Sequence, residues 1–240
     1  MMVQETSYYI SQKDRMLKDL NKYAQPMLSE LAQRYSSQTA QQILMQVQEA
    51  YAELIPQFPY IGGKANPLTT NLVQSGYALA LYQAIQAHGG TLEETGELMH
   101  LGIEKQLNRI PYFIRRWAAL RKYNRQGILK MKARAELSQQ RRYAGDWVFD
   151  VVEGNGIDFD IGLNFSECGI DKFMRAMGAA ELTPYLCNLD YVMFRACGLG
   201  LQRTKTLGWG CGQCDFRISR KGDLPPAWPP QFKERGCGKD

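Results

Sequence analysis

The chain has 240 residues, 45% of them hydrophobic and 22% charged, a globular composition that excludes wholesale disorder and is long enough to bury a core. Lys and Arg total 29 against 24 Asp and Glu, but the excess is local. Between Arg115 and Arg142 stand ten basic residues and one acid, Glu136, so the remainder sums to about −4.

The opening residues Met1 to Ser7 lack a basic stretch followed by an apolar one, so no signal peptide is predicted. No apolar run approaches the roughly 20 residues of a membrane span. The expectation is a soluble, cytoplasmic protein with no membrane partner. In a reducing compartment the six cysteines point to thiol chemistry or metal binding ahead of a disulfide framework. All six lie beyond residue 167, and the two histidines, His88 and His100, are too few for a multi-histidine zinc site.

Residues 1–145 read as helix. The first helix spans about 5–24, and a second runs from Pro26 through Leu31, Leu44 and Val47 to Tyr51, ended by Pro56 and Pro59. A third covers about 71–88 and stops at Gly89-Gly90. Thr91 with Glu94 is a capping box for a fourth, reaching about Asn108. Pro111 opens a basic helix whose buried stripe is predicted at Phe113, Trp117 and Leu120. Trp117 and Trp147 both read as core. His88 reads as a helix cap, and His100 as a surface partner of Glu97 and Glu104.

The period changes after Gly145. Trp147 to Glu153 reads as a strand, and Phe159, Ile161, Leu163 and Phe165 alternate with polar residues at period two. Gly154-Asn155-Gly156 is the turn between them. Helices at about 170–177 and 184–197 follow, then strands at about 199–207 and 215–220. Residues 222–240 are Pro-rich and expected to be extended. The predicted class is α+β: a helical part (1–145) packed on a small antiparallel sheet with two inserted helices (146–221), the whole forming one integrated domain with a tail (222–240).

The basic segment matches no nucleic-acid-binding motif, so the expectation is no nucleic acid and an acidic small molecule or a partner subunit instead. Cys211-x-x-Cys214 runs into a strand, unlike a redox motif that opens a helix. A zinc knuckle would need a second close pair, and Cys168, Cys187 and Cys197 are spaced 19 and 10 apart, although four cysteines converging in space leave a zinc-stapled module as an alternative. No metal and no cofactor are therefore assigned. The distributed set is more specific. Asn164 and Cys168 sit at a strand-to-helix junction, Cys187 and Asp190 share a helix face at i, i+3, Arg203 lies on the next strand, and Cys214-Asp215 begin the last. Thiols, a carboxylate and a guanidinium suit a small carboxylate with an electrophilic carbon: a thiolate attacks, or a carboxylate activates water, and Arg grips the acid group. For a single cysteine, core filling is the competing account, and Cys197, Cys211 and Cys237 are left as structural or incidental. Trp209, between glycines, is a candidate for a pocket mouth.

The segments Phe165-Ser166-Glu167-Cys168, Pro184 to Asp190 (P-Y-L-C-N-L-D), Arg203 to Gly210 (R-T-K-T-L-G-W-G) and Cys214-Asp215-Phe216-Arg217 resemble the L-2-amino-thiazoline-4-carboxylic acid hydrolase family. The likeness is close over about 145–220 and general before it. It implies hydrolytic opening of a thiazoline ring that bears an amino group and a carboxylate, giving a carbamoyl-cysteine. On that reading Cys187 is nucleophile or proton donor and Asp190 its general base, Cys168 and Cys214 complete the catalytic set, Cys214 with Asp215 forms the opposite wall, and Arg203, Asn164 and Asp215 bind the substrate. The alternative is a non-catalytic small-molecule-binding or sensor protein with a cysteine-lined pocket. A homo-oligomer is left open.

Overall fold

The computed structural model describes residues 7–223 and Cys237; most of the 222–240 tail lies outside the described residues. The helical part comprises Lys13–Ala24 (α1), Leu28–Arg34 (α2), Ser37–Leu54 (α3), Thr69–Ala87 (α4), Leu92–Asn108 (α5), Tyr112–Lys122 (α6) and Arg125–Gln139 (α7). Val148–Glu153 (β1) and Ile161–Glu167 (β2) follow, then Gly169–Ala176 (α8), Thr183–Ala196 (α9), Gly200–Gln202 (β3) and Cys214–Ser219 (β4). The four strands form one antiparallel sheet in the order β1-β2-β4-β3. The α+β class is as expected.

Two helices expected to be continuous are broken, each by a small polar side chain that caps the next segment. Ser36 accepts from Thr39 N at 3.1 Å and restarts the chain as α3, so the helix expected from Pro26 to Tyr51 is two. Asn124 accepts from Gly127 N at 2.8 Å and splits the basic helix into α6 and α7. Thr91 caps α5 through Glu94 N at 3.1 Å, as the capping box predicts. The turn between β1 and β2 occupies 154–160 rather than the three residues Gly154 to Gly156.

The largest apolar cluster joins α1–α5 to Trp147, Phe173, Leu182 and Tyr185, so α8 and α9 complete the helical core. A second, smaller cluster fills the space between the sheet and the helices α6, α7 and α9. Ile161, Leu201 and Ile218 meet Tyr123 and Tyr191 there. Asp146 fastens the two parts together. It is buried, it accepts from Asn66 Nδ2 at 2.9 Å, and it pairs with Arg134 of α7 at 2.7 Å just before the first strand.

The basic helix does not bury its expected stripe. Phe113 is 70% and Trp117 61% exposed, and no residue of α6 is fully buried. Of that stripe only Leu120 packs against the protein, together with Ala119, and Arg116 donates to the Gly198 and Arg220 carbonyls. An i, i+4 spacing identifies a stripe and not the side it faces. Trp147 is core as expected. His100 is only 9% exposed, which corrects its reading as a surface residue; burial lowers its pKa, against the pull of Glu104. No helix among the described residues is long and apolar enough to cross a membrane.

The α6–α7 junction leaves no room for a side chain at Gly127, whose added Cβ would lie 1.9 Å from the Lys122 carbonyl oxygen. Because the obstacle is backbone, Gly127→Ala must displace the end of α6. The substitution is expected to lower unfolding free energy by about 1–3 kcal/mol in urea titration. A loss under about 0.5 kcal/mol would contradict this packing.

Candidate active site

A cavity of about 640 Å³ lies between the inner face of the sheet and the helices α6, α7 and α9. The sheet register decides which side chains reach it. Phe149, Phe165 and Cys214 stand side by side on three neighbouring strands, and Leu163 and Phe216 form the next row. All five line the cavity. Side chains alternate across a strand, so the residues between these five point away. Cys168 comes from the β2–α8 junction, and Cys187 and Asp190 from one face of α9.

Four predicted site residues therefore meet: Cys168, Cys187, Asp190 and Cys214. Arg203 joins them from below. Its side chain is 2% exposed; Nη1 donates to Asp190 Oδ2 at 2.8 Å and Nη2 to the Cys187 carbonyl at 2.9 Å. The guanidinium also sits 5.0 Å from the Tyr191 ring centroid and 4.9 Å from that of Phe216. Asn164 and Asp215 are not brought to the cavity. They pair across β2 and β4 on the outer face, where Arg217 Nη1 donates to Asn164 Oδ1 at 2.9 Å. Asp215 accepts from Thr204 N at 2.9 Å and Lys205 N at 2.5 Å, which shapes the β3–β4 loop.

That loop returns Thr206 to the thiols. Thr206 Oγ1 donates to Cys187 Sγ at 3.4 Å and accepts from Cys214 Sγ at 3.5 Å, and Leu207 N donates to Cys214 Sγ at 3.2 Å. The hydroxyl thus bridges two sulfurs. Trp209, expected at a pocket mouth, is not among the cavity residues.

Burial sets the protonation of the group. Desolvation pushes the Cys187 thiol up to about 11, against the opposing pull of Arg203 and Thr206. Cys168 and Cys214 are raised for the same reason. The three sulfurs are protonated at neutral pH. Asp190 is raised by desolvation and pulled down by Arg203, with Lys122 adding to the downward pull. More than a third of its side-chain surface still opens into the cavity, and the Arg203 guanidinium at 2.8 Å favours its ionised form.

Part of the cavity wall was not identified from the sequence. Arg121, Lys122, Lys130 and Arg134 line it, so α6 and α7 turn one side of the basic segment toward the thiols. The local charge count was the available signal, together with the expectation of an acidic small molecule. Of the remaining cysteines, Cys211 and Cys237 form a disulfide. This corrects the general expectation of thiol or metal chemistry ahead of disulfides, agrees with a structural part for both residues, and separates Cys211 from Cys214. Among the described residues no group of three or more His, Cys, Asp or Glu is arranged to hold a metal ion.

The model of the L-2-amino-thiazoline-4-carboxylic acid hydrolases matches residues 70–218, more than half of the chain and every residue lining the cavity beyond the start of α4. The chain belongs to this family. Searches of curated proteins and of solved structures each found no match. Family membership carries the general expectation of a hydrolase acting on a small molecule. The family match begins inside α4 and closes within β4, so it covers the α6–α7 wall as well as the cysteine segments.

The raised thiols make stability depend on pH in a defined direction. The folded state keeps protons that the unfolded chain releases from about pH 9, the ordinary thiol value, so stability falls as pH rises from about 9 toward 11. A falling Tm over that window, with a smaller fall in Cys187→Ala, is expected from differential scanning calorimetry. A Tm that is flat from pH 9 to 11, or a fall identical in the variant, would contradict buried, protonated sulfur at Cys187.

Proposed function

We propose that the protein hydrolyses the ring of L-2-amino-thiazoline-4-carboxylate, or of a related thiazoline carboxylate, at the Cys187–Asp190 face of the cavity. The observation that carries the reading is the pairing of an arginine-held carboxylate with a protonated thiol three residues away on one helix face. These are a base and an acid placed side by side, which hydrolysis of an amidine-like carbon requires.

In this reading Asp190 takes a proton from water as the oxygen bonds to C2 of the ring. Cys187 S–H, oriented by Thr206, gives its proton to the ring nitrogen and makes C2 more electrophilic. The C2–S bond then breaks, the electron pair goes to sulfur with the proton that Asp190 holds, and the C2 hydroxyl returns its proton to Cys187 as its oxygen becomes the carbamoyl oxygen of N-carbamoyl-cysteine. One water is consumed and no redox change occurs. A thiol held up to about 11 is a better proton donor than standing nucleophile at neutral pH, so the water route is favoured over thiolate attack.

Arg203 is a positioning residue here. Its fork is committed to Asp190 and the Cys187 carbonyl, so gripping the substrate carboxylate passes to Lys122, whose charge is felt at Asp190. Asn164 and Asp215 support the sheet and the loop from the outer face.

The test is ring opening by purified protein, followed by mass spectrometry. Wild type is expected to add one water to the substrate, and Cys187→Ser and Asp190→Asn to lose about 10²–10⁴ in kcat. Asn164→Ala is expected to stay within about threefold, as its side chain lies across the sheet from the cavity. Full turnover in both Cys187→Ser and Asp190→Asn would remove the site assignment. No ring opening by folded wild type would remove the reaction and favour a binding protein.

A further inference from the structure

The cavity is larger and more positive than the family's named substrate alone would fill. L-2-amino-thiazoline-4-carboxylate has about nine non-hydrogen atoms, whereas cavities of this size bury drug-sized molecules. At about 640 Å³ the space equals the share of roughly twenty waters, and such a head would fill about a quarter of it.

The unfilled part has a defined character. Phe149, Phe165, Phe194, Phe216, Leu163 and Met131 line it, a wall that favours a flat apolar body over water. The charge is one-sided. Asp190 is the only acid among the lining residues, and Arg203 already neutralises it. Arg134 is neutralised by Asp146. Arg121, Lys122 and Lys130 line the cavity without a salt bridge among the described residues. A substrate with one carboxylate satisfies one of these three, and Lys122 is the one that acts toward Asp190.

We propose that the cavity takes an extended thiazoline carboxylate: a ring head at Cys187 and Asp190, an aromatic or similarly flat arm against the phenylalanine wall, and a second acidic group at Arg121 and Lys130. The proposal rests on the hydrolase reading for the ring head, while the arm and its acid rest on volume and charge alone. The chemistry of the step is unchanged. Water adds at C2, the C2–S bond breaks, and the arm leaves on the carbamoyl nitrogen of the product.

Three compounds separate the possibilities: the parent L-2-amino-thiazoline-4-carboxylate, its 2-phenylamino derivative, and its 2-(4-carboxyphenylamino) derivative. The expected order of kcat/KM is parent, phenyl, carboxyphenyl, with at least about a tenfold gain from first to last. In the Arg121→Ala/Lys130→Ala double variant the ratio of carboxyphenyl to parent should fall about tenfold. A parent preferred over, or equal to, the carboxyphenyl compound overturns the proposal. So does a ratio that is unmoved in the double variant. If none of the three is opened, the hydrolase reading fails by itself, and calorimetric binding of the same compounds to wild type decides the cavity. A Kd at least about tenfold lower for the carboxyphenyl compound supports the arm. Equal affinities, or no binding of either, overturn it.

Discussion

Arg203 is the constraint on which the site depends. A guanidinium with 2% of its side chain exposed requires partners on every side, since an unpaired buried charge costs several kcal/mol. It finds a carboxylate and a carbonyl on α9, and an aromatic ring on α9 and on β4. Meeting those partners fixes the helix against the sheet edge at one height and one rotation. That rotation turns Cys187 and Asp190 toward the cavity together. The ion pair thus serves geometry first, and it pulls against the burial that raises Asp190.

The elements and their order were legible because period two and period 3.6 are local signals. The thiol set was legible as well: a strand-to-helix junction and an i, i+3 pair place Cys168, Cys187 and Asp190 without tertiary information. Asn164 and Asp215 show how far the same signal could have been taken. Leu163 and Phe165 were assigned one face of β2, which already sends Asn164 to the other. Cys214 and Asp215 are adjacent on a strand and cannot both face one pocket. What period does not give is which face a helix presents when both carry apolar residues. Phe113 and Trp117 are exposed because α6 meets the protein through Ala119, Leu120 and Arg116, a choice made by the distant Gly198 and Arg220 carbonyls. The Asn124 cap, which splits the basic segment and folds α7 back over the cavity, is a three-residue feature hidden inside a charge run.

The fold divides labour between the two faces of a four-stranded sheet. The outer face carries polar side chains that bond to each other and to the β3–β4 loop, so the strands and Thr206 are held in place. The inner face carries phenylalanines and a cysteine under a roof of cationic helices. Low dielectric beneath raises both the Cys187 thiol and the Asp190 carboxyl, and the positive charge of Arg203 pulls both back down. In the proposed reaction acid and base thereby stand within one turn of helix.

The central claim is that the thiazoline ring sits against Cys187 in this cavity. It is tested most directly by alkylating wild type with iodoacetamide at pH 9, with and without saturating L-2-amino-thiazoline-4-carboxylate, and mapping each cysteine by mass spectrometry. The account predicts that the compound slows modification of Cys187 by about tenfold or more while Cys197, which does not line the cavity, reacts at an unchanged rate. Equal rates at Cys187 with and without the compound would contradict it.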